Sequence, residues 1–149
     1  MVRAKGALAA MLTGFFAAWH ATELGHSPQT GWDAAQTVVI RNAMAFTAAW
    51  AQLYPLAARR PARPAIDFSK YRVLIVAAGT KPTGGFRMAL SEALVVRDSA
   101  QINVTLFTPG EGCSFTEALT SPAIAIAVPL KPAAFRVISH ERADTVRCN

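Results

Sequence analysis

The side chains able to do acid–base or nucleophilic chemistry are few and scattered. The histidines are His20, His26 and His140, and the cysteines are Cys113 and Cys148. A serine or cysteine nucleophile needs an adjacent base that a third group orients. Cys113 and Ser114 offer nucleophiles, and His140 beside Glu141 offers the one base inside the expected domain. His20 falls in an apolar N-terminal segment and His26 in a Gly- and Pro-containing stretch. No G-x-S-x-G elbow surrounds Ser114. His140, Glu141 and Asp144 lie close together, but there is no H-E-x-x-H and no spaced Cys/His set. Gly79, Gly84 and Gly85 do not form a phosphate loop, and Lys81 precedes the paired glycines. Glu92, Asp98, Glu111 and Glu117 show no pattern that marks a pair of catalytic carboxylates. The expectation is a chain that is not an enzyme, with no catalytic residue, no metal and no cofactor.

Composition bounds the partners. Charged residues make up 16%, against about 25% in an average soluble domain. Hydrophobic residues make up 52%, enough for a core. The net charge of +6 is spread along the chain, with one cluster at Arg59, Arg60 and Arg63 that Pro61 and Pro64 interrupt. No basic–aromatic stripe accompanies it, so nucleic acid is not an expected partner.

The elements that would position any site are mostly strands. Val38, Val39 and Ile40 form a short β-branched run. Asn42 offers a cap to a helix whose apolar face is Phe46, Trp50, Leu53 and Tyr54, and Pro55 closes it. The Arg- and Pro-rich stretch 58–64 reads as an exposed, extended connector. The run from Val73 to Val76 fits a central strand, with further strands around Met88 and Val95, Ile102 to Leu106, Ile124 to Leu130, and Phe135 to Ser139. Alanines at 123, 125 and 127 imply a face that something approaches closely, the helix being the candidate. The fold class is α+β: a mainly antiparallel sheet or barrel-like domain with one packed N-terminal helix.

Arg3 and Lys5 precede an uncharged stretch from Gly6 to Trp19, the length of a signal h-region and short for a membrane span. The expected organisation is a signal at 1–21 ending at Ala21, a linker at 22–36, and a β-rich domain at 37–149. An uncleaved anchor is the alternative for the first segment. The expected location is therefore periplasmic or secreted. No cysteine follows the apolar run, so no lipid anchor is expected. In an oxidising compartment Cys113 and Cys148 can pair, tying the tail to the body. Such a bridge stabilises by about 3–4 kcal/mol. Two free thiols in a cytosolic chain are the alternative.

Several short motifs are more distinctive than the pattern. Asp67-Phe68-Ser69 precedes the first long strand, and Gly79-Thr80-Lys81-Pro82-Thr83-Gly84-Gly85-Phe86 follows it. Thr108-Pro109-Gly110 ends a later strand, and Leu119-Thr120-Ser121-Pro122 opens another. In this order the segment 67–130 resembles the PrcB C-terminal domain family, with its D-F-S entry, P-T-G-G turn, P-G turn and T-x-P entry. Phe86 stands where that family often has tyrosine, and Ala123 where an aromatic is common. The resemblance implies an exported bacterial protein that assists a secreted protease complex and has no catalysis of its own. The loop from Thr80 to Gly85 is either a presented binding loop, stiffened by Pro82, or a hairpin turn whose glycines satisfy geometry. Lys81, Pro82, Thr83, Gly84, Gly85, Phe86 and the adjacent Arg87 are the expected contact residues for a protein partner. The loop is also similar to the N-P-T-T-G-Y loop of chagasin-type cysteine-protease inhibitors, which implies direct protease inhibition as the second reading.

Overall fold

The structure is a computed structural model that describes residues 19–111 and 116–144. Cys113, Ser114 and Cys148, and with them the expected disulfide, lie outside the described residues. So does most of the expected signal.

The elements run β1 (Thr22–Ser27), β2 (Ala35–Ile40), α1 (Ala43–Leu53), a 3-10 turn (Ala57–Arg59), β3 (Tyr71–Ala78), β4 (Arg87–Val96), β5 (Ser99–Thr108), β6 (Ala123–Pro129) and β7 (Ala134–Ala143). One sheet has the order β1-β6-β3-β2 and is antiparallel throughout. The second has the order β4-β5-β7. The α+β class holds, and the sheets do not close into a barrel.

The four-stranded sheet is covered on both faces, which is why its central strands read as continuous apolar runs. Val73, Ile75 and Ala77 pack with Phe46, Trp50 and Leu53 of α1. Leu74 and Val76 point the other way and pack with Ile102, Val104 and Leu106 of the second sheet. β6 follows the same alternation. Ala123 and Ala125 lie under the helix, while Ile124, Ile126 and Val128 fill the space between the sheets. The alanines are small because Phe46 and Trp50 are large, so total volume across the layer is conserved. The helix starts where expected: Asn42 Oδ1 accepts from the Ala45 amide at 2.8 Å.

Within residues 22–36, expected as a linker, Thr22–Ser27 form β1, and Ala35 and Gln36 begin β2 of the four-stranded sheet. β1 pairs with β6 from Thr22↔Ala127 to Ser27↔Ala123, with a bulge between Glu23 and Gly25. Gly25 lets the α1 aromatics lie against this strand, since a Cβ there would sit 2.5 Å from the Tyr54 hydroxyl. Tyr54 donates that hydroxyl to the His26 carbonyl at 3.1 Å. Between β1 and β2 the chain is locked to Ser121, whose hydroxyl donates to Thr30 O at 2.6 Å and accepts from Thr30 N at 3.0 Å. Trp32 is buried in the helix-side core. A glycine-containing, half-exposed edge strand has a weak sequence signal, which is how it reads as a linker.

The sheets are mainly antiparallel, as expected, with one parallel pair. β5 and β7 run in the same direction, from Ser99↔Ala134 to Thr108↔Ala143. The return path between them is β6, which lies in the other sheet, so the chain reverses twice before it rejoins β5. The connector at 58–64 is exposed in the main but tied at two points. Trp50 Nε1 donates to Pro61 O at 2.8 Å, and the Arg63 guanidinium lies 5.1 Å from the Phe46 ring centroid.

Candidate functional site

The segment between β3 and β4 carries the residues expected to meet a partner. It is not a hairpin turn, because β3 and β4 belong to different sheets and do not pair. It is a crossing between layers, held by a neighbouring strand-like segment. Lys81 N donates to Thr120 O at 2.7 Å and Thr120 N to Lys81 O at 3.0 Å, a two-way antiparallel bridge. Gly84 N donates to Thr116 O at 2.9 Å, and Thr120 Oγ1 donates to Thr83 O at 2.7 Å. Gly85 takes φ +88°, a left-handed value that glycine adopts without a Cβ penalty. Gly84 is not in that region, and a Cβ on it would meet Thr116 at an ordinary 3.7 Å.

The expected contact residues therefore divide. Pro82 is exposed, whereas Lys81, Thr83, Gly84, Gly85 and Phe86 are half-buried. Phe86 packs onto the core between the sheets. Arg87 is engaged within the fold: its guanidinium stacks 3.9 Å from the Phe107 ring centroid, and its Nε lies 3.3 Å from Asp144 Oδ2. The surface left to a partner is Pro82 with the Lys81 side chain, flanked by exposed Glu117 and Leu119. Leu119 is 67% exposed, a large apolar side chain beside the loop.

The other motifs turn out to be devices that hold these crossings. Asp67 Oδ1 accepts from the Ser69 amide at 3.0 Å and the Ser69 hydroxyl at 2.5 Å, forming the turn that launches β3. Those two donors hold the Asp67 carboxyl below the usual carboxylate range. Phe68 meets Phe46 edge-on with centroids 6.0 Å apart. Thr120 clamps the loop at 81–84, and Ser121 clamps the segment at 28–30.

The chemistry weighed for His140 finds a different setting. His140 lies on β7 opposite Thr105, on the outer face of the three-stranded sheet. It borders a shallow polar depression of about 520 Å³ with Ser91, Asn103 and Arg142, where Ser91 and Thr105 share a hydroxyl–hydroxyl hydrogen bond. Ser114, its suggested nucleophile, is outside the described residues. Among the described residues no group of three His, Cys, Asp or Glu side chains is placed to hold a metal ion, and no helix is long and apolar enough to cross a membrane.

Two features escaped the sequence reading. Arg72 is 2% exposed, and its guanidinium donates to Ala133 O at 2.8 Å and Pro132 O at 3.0 Å while lying over the Phe135 ring. Burial, with a smaller effect of Arg41, lowers its pKa from the ordinary arginine value. The signal for it was an arginine directly before an apolar central strand. Trp19 is the other. Its indole N–H donates to Lys131 O at 3.0 Å, although it falls inside the expected signal.

Residues 72–129 match the family model described as PrcB C-terminal. That span runs from β3 to β6 and includes both the loop and the segment that clamps it. No curated protein and no solved structure matches the chain.

Proposed function

We propose that this chain, whose residues 72–129 match the PrcB C-terminal family model, is a non-enzymatic accessory subunit that binds an exported protein and assists the assembly or stability of a secreted or periplasmic protease complex. The observation that carries this reading is the extent of the family match, which includes the crossing loop and its clamp rather than one strand pair. A loop with both backbone edges bonded in place is preorganised, so little ordering cost is incurred on binding. Its exposed part is small, and Leu119 beside it supplies the apolar area that a protein contact uses.

The same geometry bears on direct inhibition. A loop that inserts into a protease cleft must project from its scaffold. Here Lys81, Thr83 and Gly84 are bonded to 116–120, and of residues 81–86 Pro82 alone is exposed. Surface docking fits this shape better than insertion.

Export rests on the apolar N-terminal stretch and brings a consequence for processing. Cleavage after Ala21 removes Trp19 and its bond to Lys131 but leaves β1 whole. The N-terminal mass of the exported chain checks this.

The test of function is co-purification from exported host protein with tagged wild type, a Lys81→Glu/Leu119→Ser variant and an Arg136→Gln control on the far sheet. Recovery of a protease by wild type and by the control, lost in the double variant, is the expected result. Equal recovery by all three, or recovery of no protease, defeats the reading. Addition of pure protein to that protease should leave its peptide hydrolysis unchanged, whereas stoichiometric inhibition would establish the inhibitor reading instead.

A further inference from the structure

A second concavity lies away from the loop, at the opposite ends of β3 and β6. It is a cleft of about 970 Å³ between the β4–β5 turn, the β6–β7 turn, the entry to β3 and Trp19. Its apolar wall is Trp19, Leu94, Val95 and Leu130. Val95 is 42% exposed there, an apolar side chain that the fold itself leaves uncovered. The charged groups at the cleft are Lys70, Arg97 and Lys131 against the single carboxylate of Asp98. Behind the Pro132 wall stands the buried Arg72 guanidinium, bonded to the Pro132 and Ala133 carbonyls and not to a carboxylate. Its Nε has no hydrogen-bond partner.

An apolar cleft of this size with a few convergent polar groups is the usual form of a small-molecule site. Three cations facing one acid select the sign of the ligand's charged end. We propose that this cleft binds a single-chain anionic amphiphile, with its alkyl chain along Leu94, Val95 and Leu130, which cleavage after Ala21 leaves in place, and its anionic head among Lys70, Arg97 and Lys131. The site is separate from the proposed protein contact, which lies at the other end of β3. The chain's own N-terminal segment is the competing occupant, since it leads directly into Trp19. It carries Arg3 and Lys5, of the same sign as the rim, and brings no acidic group at all before Trp19. Charge complementarity therefore favours the external anion.

The probe is dodecanoate, titrated below its micelle-forming range into the full chain and followed by calorimetry. Saturable one-to-one binding is expected, about tenfold or more tighter than dodecylammonium, because several partly exposed charge pairs act together. Lys70→Gln/Lys131→Gln should weaken dodecanoate by about the same factor while leaving dodecanol unchanged. Leu94→Asp, checked for native circular dichroism, should abolish both. Absence of saturable binding, equal affinity for acid and amine, or indifference to Leu94→Asp overturns the proposal. A spontaneous disulfide between Leu12→Cys and Val95→Cys, in a Cys113→Ser/Cys148→Ser background, would make the N-terminal segment the occupant and overturn it as well.

Discussion

Gly85 holds φ +88°, while Gly84 beside it keeps an ordinary backbone and faces Thr116 with room for a methyl group. The two glycines look interchangeable in the sequence and are not interchangeable in the structure. Gly85→Ala forces an L-residue into the left-handed region, at a cost of about 1–2 kcal/mol. Gly84→Ala should change stability by less than about 0.5 kcal/mol. Urea midpoints of the two variants measure the difference, and equal midpoints would mean that the loop relaxes around Gly85. The contrast also decides which loop variants are usable as binding probes, since a change at Gly85 mixes strain with loss of contact. Arg87 shows a similar limit at residue scale. Placed next to the loop in sequence, it is occupied by Phe107 and Asp144. Sequence adjacency told where Arg87 is along the chain but not that β5 and the end of β7 surround it.

The helix and β1 form the element whose interior is most readable in chemical terms. Trp50 and Tyr54 lie with ring centroids 4.9 Å apart, and the Tyr54 hydroxyl reaches over Gly25 to the His26 carbonyl. Burial, with the Glu23 carboxylate adding to it, raises the Tyr54 pKa above its ordinary value of 10.0. The folded value thus exceeds the unfolded one. The stability contributed by the protonated hydroxyl is fully present below the unfolded value, near pH 10, and is lost as pH rises through the folded one. Tyr54→Phe keeps the ring packing and removes the hydrogen bond, worth about 1 kcal/mol at neutral pH. The stability gap between wild type and Tyr54→Phe should therefore be constant up to about pH 9 and close above pH 10. Denaturant titrations of both proteins across that range measure it. A gap that stays constant at high pH would show that the hydroxyl is as readily ionised in the fold as in the unfolded chain.

At the scale of the molecule, three layers stand in sequence: α1, the four-stranded sheet and the three-stranded sheet. The middle layer was legible because burial on both faces writes continuous apolar runs at Val73–Val76 and alternating Ala/Ile at Ala123–Val128. The helix was legible through its cap and aromatic spacing. What could not be read was the assignment of strands to sheets. Whether β4 follows β3 as a hairpin or crosses to another layer depends on contacts with 116–121, far away in sequence. The parallel β5–β7 pair was hidden for the same reason, and the clamp on the candidate loop with it. β1 was hidden differently. Thr22, Glu23 and His26 are exposed and Gly25 carries no side chain, so the strand lacks any apolar alternation. Its evidence is the backbone ladder to β6. That ladder makes the last prediction. If β1 is an integral edge strand, its amides that face β6 exchange hydrogen only when the pair opens, and protection of at least about 100-fold over the free chain is expected. A linker would exchange at the free-peptide rate. Because β1 begins at Thr22, processing after Ala21 should leave that protection intact while removing Trp19 from the cleft. Hydrogen-exchange mass spectrometry of the chain recovered from its host would thus report on the strand and, through its N-terminal peptide, on whether that cleavage occurs.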